Sequence, residues 1–98
     1  MIIKNALADL ESAKNPVSKI LHTGTNFKVV VLTFKAGMTI KEHKSNVPAT
    51  LVVVSGKVNY RNLETTVTLE KYDNLSIPVE ELHAVTALED AVCLLIRG

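Results

Sequence analysis

Two histidines, His43 and His83, stand 40 residues apart, each closing a short stretch that begins at a turn residue. His43 ends Gly37-Met-Thr-Ile-Lys-Glu-His43, and His83 ends Pro78-Val-Glu-Glu-Leu-His83. Imidazole changes charge near physiological pH and is a common ligand of transition metals. Two imidazoles brought together make either the start of a metal site or an acid/base pair. No third ligand is obvious. Glu80 and Glu81 belong to the loop before His83 and read as a solvated pair. Cys93 sits in the apolar run Ala91-Val-Cys-Leu-Leu-Ile96 and reads as a small buried hydrophobe, since nothing near it would lower a thiol pKa. His22, beside Thr23-Gly24, reads as a surface residue. There is no glycine-rich phosphate loop and no nucleophile elbow.

Strands dominate the chain, so a strand-built fold would have to position these histidines. Residues 17–22, 27–35, 39–44, 50–54, 57–61, 65–69, 75–77, 82–87 and 91–97 read as nine short strands, rich in β-branched residues and separated by turn residues. Close spacing of short strands predicts an all-β sandwich or barrel. Each half of the chain repeats a turn, a histidine-bearing strand and an apolar run, as the halves of a double Greek-key barrel do. Residues 1–16 differ. Asn5 to Lys14 holds good helix formers with Asn5 as a candidate N-cap, so a short helix and an irregular arm are both open. The expected division is an arm over 1–16 and a barrel over 17–98.

Composition narrows the partners. The chain has 98 residues, 47% hydrophobic and 21% charged, with a net charge of +1, which suits one globular domain. No basic stripe is present for phosphate neutralisation, which argues against nucleic acid. Aromatic residues are limited to Phe27, Phe34, Tyr60 and Tyr72, too few for stacking shelves. No apolar run approaches the roughly 18 residues of a membrane span, and no secretory leader is visible. With the lone Cys93, these features make a cytoplasmic location the expectation.

With these residues in place, the chain resembles the small single-domain cupins, double-stranded β-helix proteins of the jelly-roll (RmlC-like) type. The first cupin motif matches in spacing: Gly37, five residues, His43-Lys44-Ser45, three residues, Ala49, six residues, Gly56. The second runs Tyr72, five residues, Pro78-Val79-Glu80, two residues, His83, three residues, Ala87. Asp73 to Pro78 looks like the family's Gly-Asp turn, with Tyr72 in place of glycine. The likeness spans roughly residues 27–97. It implies a site of three histidines and one glutamate, of which this chain keeps His43 and His83. Ser45 and Ala49 occupy the other two positions, and Ala87 replaces the asparagine of the second motif.

Strand side chains two apart share a face. If His43 points into the barrel, regular alternation sends Lys41 and Ser45 inward and Glu42 and Lys44 outward, with Ala49, Leu51 and Val53 on the interior. The expected ligand-binding residues are therefore His43, Ser45, His83 and Lys41, with His43 and His83 as the only metal ligands. Three readings stay open. The barrel binds a small molecule through the two imidazoles; it is a metal-dependent oxygenase, isomerase or lyase with an incomplete site; or the pair is a remnant. No catalytic residue is assigned. Any cofactor would be a weakly bound divalent transition metal. Strands 29–32 and 51–54 are apolar on both faces, so the arm or a second subunit must cover the outside, and a homodimer is expected.

Overall fold

The computed structural model describes residues 1–98. One helix precedes nine strands: α1 (Ile2–Leu10), β1 (Val17–Thr23), β2 (Lys28–Phe34), β3 (Thr39–His43), β4 (Ala49–Ser55), β5 (Lys57–Asn62), β6 (Thr66–Glu70), β7 (Asn74–Ile77), β8 (His83–Ala87) and β9 (Ala91–Arg97). The strands form two sheets, ordered β1-β2-β9-β4-β7 and β3-β8-β5-β6, with every pair antiparallel. After β2 the chain crosses repeatedly between the sheets, so sheet neighbours other than β1–β2 and β5–β6 are distant in sequence. This is the double-stranded β-helix, a jelly roll. No helix is long and apolar enough to cross a membrane.

Alternation decides what lies between the sheets. Val30, Leu32 and Phe34 of β2, Leu51 and Val53 of β4, and Cys93 of β9 face Val58 and Tyr60 of β5 and Val85 and Ala87 of β8 in one core. Phe34 pairs with Ala91 at one end of the β2–β9 ladder, and Lys28 pairs with Arg97 at the other. The Phe34 end is packed shut, and the Lys28 end opens into a cavity.

The N-terminal segment is a helix, and its start differs from expectation. Met1, not Asn5, is the N-cap, and Asn5 lies inside the first turns, donating its backbone N–H to the Met1 carbonyl. The apolar spacing of the helix buries Ala6 and Leu10. α1 packs on β1 and β2. Thr33, on the outer face of β2, is fully buried, and its hydroxyl donates to the Ala6 carbonyl at 3.3 Å. A lone polar side chain is thereby satisfied under the helix.

Positive φ angles mark the turns that the motif spacing singles out. Gly37 and Gly56 have φ of +88° and +82°. Glycine tolerates this region, and at Gly56 a Cβ would collide with the Asp90 carbonyl and Ala91. Tyr72 and Glu80, which stand where the cupin motif has glycine, have φ of +75° and +60°. The backbone has kept the turn that glycine would serve, at the cost of strain in two non-glycine residues.

Candidate functional site

His43 and His83 are direct cross-strand partners of β3 and β8, with ring centroids 4.3 Å apart and ring planes 55° from each other. Each ring is held the same way. Nδ1 of His43 lies 2.9 Å from the Lys41 carbonyl oxygen, and Nδ1 of His83 lies 2.8 Å from the Glu81 carbonyl oxygen. A carbonyl can only accept, so each Nδ1 carries the proton and donates it. In the neutral form of a ring held this way, the lone pair is on Nε2. No buried side-chain nitrogen or oxygen lacks a partner. Nε2 of His83 makes no bond within the chain, so it is open to the cavity.

That cavity has a volume of about 660 Å³ and is bounded by β1, β2, β9, β4 and β7 on one side and β3 and β8 on the other. Its wall is aliphatic, made by Val30, Leu32, Ile40, Ile77 and Leu95. His83 lies deep and only 5% exposed, whereas His43 is exposed at the mouth.

The strand that carries His43 is not regular. Ile40 pairs with Val85 and His43 with His83, so two residues of β3 oppose the single residue Ala84. This β-bulge shifts the alternation by one. Ile40 and His43 both reach the cavity, although they are three apart. Lys41, expected to point inward with His43, is exposed and does not line the cavity; it supplies its carbonyl instead. Lys44, expected outward, lies at the cavity mouth and pairs with Glu80 at 3.9 Å. Glu42 does point outward, where it pairs with Arg61.

Ser45 lines the cavity, but its hydroxyl oxygen is already engaged. It accepts from the Val47 backbone N–H at 3.2 Å and from Arg97 Nη2 at 3.3 Å. Ala49 also lines the cavity and carries no donor atom.

Tyr60, Asn62 and Arg97 take part without having been singled out as site residues in the sequence. Tyr60 of β5 stacks on His83, with centroids 5.3 Å apart and planes 20° from parallel. Its hydroxyl donates to Glu81, which also accepts from Asn62 Nδ2 at 3.3 Å. Glu81 is therefore not a freely solvated loop residue. The bonds from Tyr60 and Asn62 hold its carboxyl below the usual carboxylate range, while burial and the Glu81 charge push the Tyr60 phenol above its own. Arg97 is the third, brought into the cavity by the last strand. Cys93 is fully buried, and burial pushes its thiol up to about 11, which makes it a core residue rather than a nucleophile.

The donor set does not complete a cupin metal site. Two Nε2 atoms with their Nδ1 protons fixed by carbonyls have the form of metal ligands. Yet no group of three or more histidine, cysteine, aspartate or glutamate side chains comes together. The Ser45 position holds a guanidinium in the cavity, Ala49 offers nothing, and Glu81 is committed to Tyr60 and Asn62. A fixed cation lining the same cavity as the imidazoles opposes the binding of a second one.

Neither a family model nor a curated protein matches the sequence. Solved structures do match. An RmlC-like cupin protein from Desulfovibrio desulfuricans superposes with a TM-score of 0.80 at 26% identity, over 87% of this chain and 83% of that one. A cupin superfamily protein from Desulfitobacterium hafniense gives 0.80 at 19% identity, over 94% and 86%. A cupin-like protein from Thermotoga maritima gives 0.78 at 25% identity, over 87% and 69%. With two jelly-roll sheets, the motif turns in place and these structural neighbours, the chain is a small cupin-type domain.

Proposed function

We propose that this cupin-type barrel binds a small molecule in its cavity through His43 and His83, without a complete metal site. One observation carries the reading. The two imidazoles are in register 4.3 Å apart in an open cavity of about 660 Å³, each with its tautomer set by a backbone carbonyl. Small-molecule sites have this form, with a volume of roughly 300–1,000 Å³, a mostly apolar wall and a few placed polar groups. A ligand that binds only the folded state raises its stability. A metabolite library screened by thermal shift, on wild type, His43→Ala and His83→Ala, tests the reading. Ligands whose stabilisation is lost in both variants support it; stabilisation unchanged in both ends it.

A second reading, a metal-dependent enzyme with an incomplete histidine site, draws on the two free Nε2 lone pairs. Its expected signature is a divalent transition metal at one equivalent per chain in protein purified without a metal-affinity tag. Elemental analysis of wild type and His43→Ala decides it, and equal metal content in the two ends it.

A homodimer belongs to the same proposal. α1 packs on β1 and β2, and farther along the sheet Val54 and Ile96 remain exposed on β4 and β9. Light scattering that returns a clean monomer at working concentrations removes it. A cytoplasmic setting is part of the proposal too, in keeping with the single reduced cysteine.

A further inference from the structure

The charged residues of the cavity are all of one sign. Lys28, Lys44 and Arg97 line it, together with the two histidines, and no aspartate or glutamate does. The ion pairs of the molecule lie elsewhere or at the rim: Lys19 with Asp9, Lys57 with Glu70 and Glu89, Arg61 with Glu42, and Lys44 with Glu80. Lys28 and Arg97 have no acidic partner. They are nevertheless direct cross-strand partners on β2 and β9. Like charges placed opposite each other in a sheet repel and are unfavourable. Both side chains are partly withdrawn from solvent.

Arg97 is also held in place. Its Nη2 donates to Ser45 Oγ, which accepts the Val47 N–H as well. A hydroxyl that accepts two bonds still has its own proton to give. The open end of the barrel therefore offers the remaining guanidinium donors, an ammonium and one hydroxyl proton. Aliphatic side chains begin immediately beside them: Leu95, two residues before Arg97, and Val30, two residues after Lys28, both line the cavity.

We propose that the cavity takes a small organic carboxylate, its charged end on Arg97, Lys28 and Ser45 and its apolar body along Val30, Leu32 and Leu95. This rests on the reading of the barrel as a small-molecule site and names the ligand class. A planar guanidinium fork matches a planar carboxylate. The anion relieves the repulsion between Lys28 and Arg97, and the aliphatic wall requires a carbon body of several atoms. Nε2 of His83 is left for a second polar group on the ligand.

Hexanoate is the probe, with hexanamide and hexanol as neutral controls, each titrated into isotopically labelled protein and followed through backbone amide shifts. Wild type is expected to bind hexanoate about tenfold more tightly than hexanamide, with shifts at residues lining the cavity. Arg97→Gln removes that preference, Lys28→Gln weakens it several-fold, and added salt lowers the affinity of wild type for hexanoate alone. Equal binding of hexanoate and hexanamide by wild type overturns the proposal, and this arm needs no variant to fold. If both bind equally and His83→Ala abolishes both, the barrel site stands and its anion preference falls. If none of the probes moves a cavity resonance, the carboxylate site is overturned, and the metabolite screen alone then decides the barrel reading.

Discussion

His83 lies on a central strand, between β3 and β5, whereas His43 lies on an edge strand beside a bulge. His83 is 5% exposed, stacked on a Tyr60 that is itself 2% exposed. Tyr60 in turn is tied to Glu81 in the loop that leads into His83. His43 is open to solvent, and its ring nitrogen bonds only to a backbone carbonyl. The same residue type thus does two jobs. His83 is a packed part of the barrel that also presents a lone pair, and His43 is a side chain of the mouth. Changes around His83 should act first on folding, and changes around the mouth should act first on binding.

The largest expected effect tests the His83 side at its base. Tyr60→Ala removes a fully packed ring and should destabilise the protein by about 3–5 kcal/mol, read by urea unfolding. A loss below about 1 kcal/mol would mean that the packing around His83 is loose and that the contrast is false. His83→Ala comes next, at about 1–3 kcal/mol, because it empties a buried position next to Tyr60.

A smaller effect of opposite sign sharpens the contrast. Glu80 sits in the His83 loop at φ +60°, and its N–H donates to the Ser45 carbonyl at 2.8 Å. Glu80→Gly keeps that bond and relieves a left-handed non-glycine residue, so stability should rise by up to about 1 kcal/mol. The exposed pair with Lys44 subtracts little from this. If the variant is less stable than wild type, the strain is not where the backbone places it.

The sequence made the strands legible because alternation and turn residues are local. Phe27 to Lys35 reads as a strand from its β-branched run, and β2 occupies Lys28–Phe34. The motif spacing carried the turns, since Tyr72 and Glu80 adopt positive φ without being glycine. The placement of His43 beside His83 was legible from the same spacing. The bulge was not. Nothing in Thr39-Ile-Lys-Glu-His43 marks an extra residue, so plain alternation sent Lys41 inward and Lys44 outward. Arg97 was hidden for a different reason. It is 52 residues from Ser45, and only the β9 crossover brings the two within a hydrogen bond. Tyr60 and Glu81, 21 residues apart, meet through the same kind of long-range pairing.

His43→Ala is the mildest change and the one that divides the two regions most cleanly. The ring is exposed, so little apolar area returns to water when it is removed. Its hydrogen bond goes to a carbonyl at the surface of an edge strand, where water can replace it. The expected change in unfolding free energy is within about 0.5 kcal/mol, below the cost of His83→Ala. Ligand binding should respond in the other order of sensitivity, with a clear loss of affinity in a variant that folds as well as wild type. Urea unfolding and a ligand titration on the same sample check both halves. Equal destabilisation by the two histidine variants would show that His43 is packed into the barrel as His83 is. Unchanged affinity in a stable His43→Ala would leave the mouth to Arg97, Lys28 and Ser45, and would confine the imidazole contribution to His83.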